Sequence, residues 1–389
     1  MKKRLLALTL AVTMAAMGTG CGGSNSKPAD TTTAKQAEAT EAKTEAAKTE
    51  AAADTKAGET KAADKAADKP VASGKTLVVG TMANSLGLPV HQADIAGYFK
   101  DAGLDVKIEI FATGAPINEA MAAGNLDVAV SGMASVYALA TGMYTYIGDG
   151  VITTGGESIY ARADSPFATA KPNERGVIGD PEVLKGASIL GPLATTAHYQ
   201  AIKYMETFGL TTEDFNMVSM DYPQAYQAFV TGEGDLVANK MPYTNQLEEA
   251  GYVKVCDMNM VSDSPIIDTI FTQNKVMEER QGDLELFLEC YYKACEDLMK
   301  DEANRREVAM AWYAEEGINY SESDMDTEIS VKDYYTLETV GKENQIGQFM
   351  LDIGSFYVDQ DVIAKDDFPK VGESINTTPL DNVKARAGK

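Results

Sequence analysis

From Lys75 onward the sequence repeats one phrase: a short β-rich apolar run, a loop of small residues, then a stretch with helical periodicity. Strands joined through helices return in the same direction, so such a chain is committed to mostly parallel sheets with helices on their faces. Residues 76–80 read as the first strand, and the loop 81–87 leads to Pro89, suited to the first turn of a helix running to about residue 101. Residues 105–111 set Val106, Ile108 and Ile110 against charged partners, as a half-exposed strand does. Pro116 opens a short helix closed by Gly124; a strand over 128–130, a helix over 134–141 and strands near 147–154 and 159–162 complete a first block.

A second block has the same grammar. A turn at 180–186 enters a strand at 187–190, the loop 191–196 and a helix over 197–208, with Gly209 as its C-cap. Strands at 216–220, 236–239 and 253–256 then alternate with helices at 223–230 and 242–250. After Pro265 a strand at 266–272 leads into a long helical tail. Apolar faces recur there at Leu284, Phe287, Leu288, Tyr291, Tyr292, Ala294 and Cys295, at Val308, Ala311 and Trp312, and at Ile346, Phe349, Met350 and Ile353. Such a tail must cover a sheet already made. The expected organisation is a first lobe over 75–165, a second over 166–265, and a return to the first lobe over 266–389, with crossovers near Ser165 and Pro265.

The N-terminal segment differs in kind. Lys2, Lys3 and Arg4 precede an apolar run over 5–17, too short to span a bilayer, and residues 1–20 read as an export signal peptide. Small residues directly before Cys21 resemble a bacterial lipobox, in which that cysteine is acylated; Gly18 departs from the larger aliphatic residue usual there. Residues 21–74 are almost entirely Ala, Lys, Glu, Asp and Thr, with no apolar face to bury, and read as a tether. As coil, about 50 residues reach on the order of 40 Å.

The chain carries 34 basic and 58 acidic side chains, a net charge of −24 that repels nucleic acid and anionic lipid. With only two histidines, metal capture is disfavoured and no cofactor is expected. Besides Cys21, the cysteines are Cys256, Cys290 and Cys295, an odd number and so no disulfide framework. Cys290 and Cys295 lie roughly 140° apart around a helix, and all three read as buried free thiols. No G-x-S-x-G, H-E-x-x-H, P-loop or C-x-x-C motif occurs, and Gly148-Asp149-Gly150 lacks the third glycine of a dinucleotide fingerprint. The chain reads as catalytically empty, and no enzyme is expected.

The stretch Gly114-Ala115-Pro116-Ile117-Asn118-Glu119-Ala120, followed by Ala123-Gly124-Asn125-Leu126-Asp127 and the small loop at Ser131-Gly132, resembles the nitrate, sulfonate, taurine and thiamine-precursor binding proteins. Leu184-Lys185-Gly186, His198, Gly209-Leu210, Glu213-Asp214, Gly232 to Asp235 and Pro242 follow in that family's order, so the resemblance covers roughly residues 76–275. It implies a type II periplasmic-binding-protein fold: two α/β lobes, a central cleft and two crossover segments. It also implies an extracytoplasmic lipoprotein on the outer face of the cell membrane, most simply a monomer. Such a protein would capture a sulfonate, an aromatic or carboxylic acid, or a pyrimidine, and deliver it to an ABC permease and its ATPase. The alternatives are a sensor component signalling to a membrane receptor and a pyrimidine-precursor enzyme of the same fold.

In open sheets, ligands sit beyond the carboxyl ends of the strands. The loops there name Met82, Asn84 and Ser85, then Ser131, Gly132 and Met133, and from the second lobe Thr195, Thr196, Asn239, Lys240 and Met241. Ser131, Thr195 and Thr196 are also natural N-caps. Lys240 is the sharpest polar candidate, either neutralising an acidic ligand group or standing as a solvated lysine; Tyr222 either stacks on a planar ligand or staples its helix; and the three methionines suggest an adaptable apolar wall. His91 and His198 fall in helices as packing or capping residues. The expected ligand is a small organic molecule, planar or aromatic, with one polar or acidic end.

Overall fold

The computed structural model describes residues 69–389. The expected signal peptide, Cys21 and nearly all of the tether lie outside the described residues. The end of the tether is already part of the fold: Ser73 donates its N–H and its hydroxyl to the Asp283 carboxylate at 2.7 and 2.6 Å. Folded structure therefore begins before Lys75.

Eleven strands follow in chain order: β1 (Leu77–Thr81), β2 (Val106–Ile110), β3 (Val128–Ser131), β4 (Tyr144–Thr153), β5 (Glu157–Ala161), β6 (Ser188–Gly191), β7 (Asn216–Ser219), β8 (Leu236–Lys240), β9 (Val253–Asp257), β10 (Ile266–Gln273) and β11 (Lys332–Tyr334). They form two sheets, one ordered β11-β4-β10-β3-β1-β2 and the other β7-β6-β8-β5-β9. Within each, three strands are parallel: β2, β1 and β3 in the first, β7, β6 and β8 in the second. A strand arriving from the other lobe then inserts antiparallel, β10 between β3 and β4, and β5 between β8 and β9. This reciprocal exchange makes the type II arrangement of two α/β lobes.

One boundary is corrected. The strand over 159–162, expected to finish the first block, lies in the second sheet, where β5 pairs Ile159 with Ala238 and Tyr160 with Val237. The first crossover is thus at 154–156, not near Ser165. Gly156 has φ +85°, and a Cβ there would stand 3.0 Å from Met241 and 3.1 Å from Val331, so only glycine passes between the lobes without displacing either side chain. The chain crosses back after the short helix Met258–Val261 to enter β10 at Ile266.

Two helices also depart from expectation. The helix expected over 89–101 is broken into Leu88–Ile95 and Tyr98–Asp101, because Gly97 adopts φ +76° between them. In Glu302–Glu315 the buried seam is Ala309, Trp312 and Tyr313, while Ala311 faces solvent. The tail covers the first sheet as anticipated: Gln281–Lys300 buries Leu284, Phe287, Leu288, Tyr291 and Tyr292, and Gln348–Asp359 buries Phe349, Met350 and Ile353. Cys256, Cys290 and Cys295 are buried and free.

Candidate ligand-binding site

The carboxyl ends of β1, β3, β6 and β8 converge on a cleft between the lobes. An inner chamber of about 90 Å³ is lined by ten of the twelve candidates: Met82, Asn84, Ser85, Gly132, Met133, Thr195, Thr196, Tyr222, Lys240 and Met241. The other two stand behind its wall. Ser131 is fully buried within β3 with its Oγ unpartnered, and is not a cap; the helix Ser135–Leu139 is preceded by Ala134. Asn239 donates from Nδ2 to the Tyr222 carbonyl at 3.0 Å and accepts the Lys240 N–H on Oδ1 at 2.9 Å, so it holds two lining residues in place.

The expected caps behave differently too. Thr195 precedes the helix Thr196–Glu206 but turns its hydroxyl to the Pro192 carbonyl at 2.8 Å, and Thr196 Oγ1 lies 3.3 Å from the Tyr222 hydroxyl. Thr113 likewise precedes Gly114–Ala122 without a side-chain cap. Two helices of nine and eleven residues thus open at the chamber with first-turn N–H groups that no capping side chain engages. Close approach is needed here: a Cβ on Gly114 would meet the Ala134 Cβ at 2.7 Å.

Neither histidine joins the site. His91 stacks on Trp312 with centroids 4.6 Å apart, and His198 accepts the Ala194 N–H on Nδ1 at 3.4 Å, burial pushing its pKa down to about 4.

The charges that matter most were not anticipated. Asp268, Glu157, Glu328 and Lys332 line the chamber with Lys240, as does Tyr320. Glu328 is held within the first lobe, accepting the hydroxyls of Tyr313 and Tyr320 at 2.9 Å each. Lys332 donates to Thr153 Oγ1 at 3.0 Å and reaches across the lobes to Glu157 Oε1 at 4.0 Å. Glu157 is 7% exposed, and its second oxygen has no partner.

Asp268 and Lys240 are left over. Asp268 is also 7% exposed, and no hydrogen bond or ion pair among the described residues meets its carboxylate. Its Oδ1 would lie 3.3 Å from a Cβ on Gly132, so glycine gives the carboxylate its room. Burial pushes its pKa up to about 7, with Lys332 pulling down, Glu157 pushing up and Lys240 pulling down. Lys240 points its ammonium over the Tyr222 ring at 4.7 Å, and burial lowers its pKa against the pull of Glu157. The expected acid-binding lysine is present, yet a carboxylate shares its chamber.

The chain matches the NMT1/THI5 like family over residues 84–304, more than half its length. It belongs to that family. A protein of Brachyspira hyodysenteriae, named as an ABC transporter periplasmic binding protein, is 26% identical over 308 residues, covering 78% of this chain and 88% of its own. The alkanesulfonate-binding protein of Xanthomonas axonopodis, solved with MOPS, is 15% identical with a TM-score of 0.60, covering 77% of this chain and 98% of its own. The periplasmic nitrate-binding protein of Synechocystis is 10% identical with a TM-score of 0.63, covering 80% of this chain and 89% of its own. At such identities these two establish the fold, that of the periplasmic binding proteins. The family match begins after Met82 and ends before Tyr320, Glu328 and Lys332, so four of the lining residues lie outside it.

Proposed function

We propose that this chain is the capture component of an ABC importer, an extracytoplasmic protein that closes two lobes on a small organic molecule and passes it, unconverted, to a permease and its ATPase. Family membership and the name of the Brachyspira relative support this reading. The sequence before Lys75 supports a signal peptide, a lipid on Cys21 and a tether to the membrane's outer face; in this reading the protein acts as a monomer.

The ligand reading rests on one observation: a buried carboxylate and an ammonium, Asp268 and Lys240, face the same chamber, and among the described residues neither side chain has a hydrogen-bond or ion-pair partner, Lys240 meeting only the Tyr222 ring. Burying either group unpaired is costly, and a ligand that satisfies both recovers that cost. A sulfonate or nitrate would meet Lys240 and the open helix N-termini but also face Asp268 and Glu157. A molecule offering hydrogen-bond donors and acceptors side by side suits both. Among sulfonates, acids and pyrimidines, the pyrimidine type fits best.

A thermal-shift panel of nitrate, alkanesulfonates, aromatic acids and pyrimidines on the full-length protein tests this. Pyrimidines are expected to raise the melting temperature most. A larger rise with nitrate or a sulfonate would reverse the ligand assignment.

A further inference from the structure

A second chamber of about 320 Å³ adjoins the first and shares Met82, Asn84, Thr113, Tyr222, Lys240, Met241 and Tyr320 with it. The two differ in chemistry. The inner one, at about 90 Å³, holds Asp268, Glu157 and Lys332; the outer one is walled by Ile110, Phe111, Pro223, Pro242, Tyr243 and Ile318, with Asp221 and Glu316 also on its lining.

Size decides how a ligand divides between them. A cavity of about 150 Å³ takes one benzene. The inner chamber is smaller, with room for only about three or four heavy atoms, while the outer one takes roughly a dozen on the same scale. A six-membered ring, a pyrimidine included, therefore enters the polar chamber only by one donor–acceptor edge, with the rest of the ring in the outer chamber.

We infer that the ligand is bipartite: an uncharged amide-type head, carrying a donor and an acceptor on adjacent atoms, enters the inner chamber, and an apolar, largely aromatic body fills the outer one. This rests on the capture reading above. The head's N–H donates to the Asp268 carboxylate, and its carbonyl accepts from Lys240 or from the first-turn N–H groups after Thr113 and Thr195. A single positive charge would satisfy Asp268 and oppose Lys240; a single negative charge would do the reverse. An amide answers both without adding charge to a buried chamber that already holds five acidic or basic side chains. Met82, Tyr222, Met241 and Tyr320 border both chambers and form the neck between head and body.

Four probes that vary charge and size independently test the division: 2-naphthamide, 2-naphthoate, 2-naphthamidine and acetamide, each measured by calorimetry against the full-length protein. The amide is expected to bind at least tenfold more tightly than its anionic and cationic isosteres and at least a hundredfold more tightly than acetamide. Asp268→Ala is expected to abolish the preference for the amide over the naphthoate. Ile318→Ala, on the outer wall alone, is expected to weaken all three naphthyl probes alike by several-fold, beyond the modest fall in unliganded melting temperature that losing its packing on the first core brings.

Tighter binding of 2-naphthoate or 2-naphthamidine would overturn the head assignment, and acetamide within tenfold of naphthamide would overturn the body. If no naphthyl probe binds but a nitrate, sulfonate or pyrimidine does, the bipartite inference falls and the capture reading stands. If no solute of any class binds, both fall.

Discussion

The two lobes solve the same packing problem with unequal means. In the first, both faces of the six-stranded sheet are covered, and the tail helices join its strands in one continuous core containing Phe99, Phe271, Phe287, Tyr291 and Tyr292. In the second, the sheet divides two smaller clusters. Ile159 and Ala161 of β5 enter one, while Tyr160, pointing the other way from the pleat, enters the other with Leu190 and Phe229. The first lobe is an anvil and the second a lighter cover, because hydrophobic stabilisation follows the apolar area each buries. Several contacts join them: Lys332 to Glu157, Asn245 to Asp324, Gln360 to Glu206, Lys203 over the Phe356 ring, and the packing of Tyr199 on Phe356 and of His198 on Tyr357.

Deleting a large core side chain should separate the lobes most clearly. Phe287→Ala leaves a cavity in the shared core and is expected to cost about 3–5 kcal/mol in denaturant unfolding. Faster amide exchange should appear throughout β1, β3 and β10. Phe229→Ala should cost a similar amount locally, yet raise exchange only in β6, β8 and their covering helices. Equal acceleration in both sheets after Phe229→Ala would break the comparison and make the two lobes a single cooperative unit.

The next effect probes the seam between them. The Asp268 carboxyl, ordinarily near 3.8, is pushed up to about 7 by burial. Between those values the folded protein holds a proton that the unfolded chain releases, so stability falls as pH rises from about 4 to about 7 and stays low above it. The loss amounts to roughly 4 kcal/mol. Asp268→Asn escapes it and should gain on the wild type by that amount between pH 4 and pH 8, read as a growing difference in melting temperature of the unliganded proteins. Glu157, Glu328, Lys240 and Lys332 face the same chamber, and a difference that does not change with pH would mean that the two lysines already keep the carboxylate ionised.

This seam is also where the sequence is hardest to read. The loops after β1, β3, β6 and β8 announce themselves by small polar residues between an apolar run and a helix, and ten of twelve candidates drawn from them line the chamber. Asp268 sits inside an apolar strand, flanked by Ile266, Ile267 and Ile270, and Glu328 and Lys332 lie in a tail whose periodicity shows only that it covers a sheet. Their placement depends on β10 and β11 pairing with β4 across long separations, which no local pattern encodes. The one available signal was a lone aspartate in a strand otherwise fit for full burial. The sheet change at 154–156 was missed for a related reason: two glycines between two apolar runs read equally well as a hairpin or as a crossover, and only the pairing of β5 decides.

The smallest effect tests whether the lighter lobe is held shut by specific bonds. Asn245, on the second lobe's helix Tyr243–Glu249, donates from Nδ2 to Asp324 Oδ1 at 2.8 Å across the cleft. The other oxygen of Asp324 accepts the N–H and hydroxyl of Ser321 at 2.8 and 2.7 Å, so the start of the helix Glu322–Val331 keeps its cap when Asn245 is lost. Asn245→Ala therefore removes a bond between the lobes while leaving the cap of the helix Glu322–Val331 in place. A hydrogen bond of this kind contributes about 1 kcal/mol net, so affinity for any ligand that requires closure should fall about fivefold. Because the loss concerns the closed state, it should appear mainly as faster ligand release, with the unliganded melting temperature nearly unchanged. A drop in melting temperature without a change in release would make the bond a support of the first lobe's tail, and the cover would then close through the remaining contacts, Lys332 to Glu157, Gln360 to Glu206 and the packing of Lys203 and Tyr199 on Phe356.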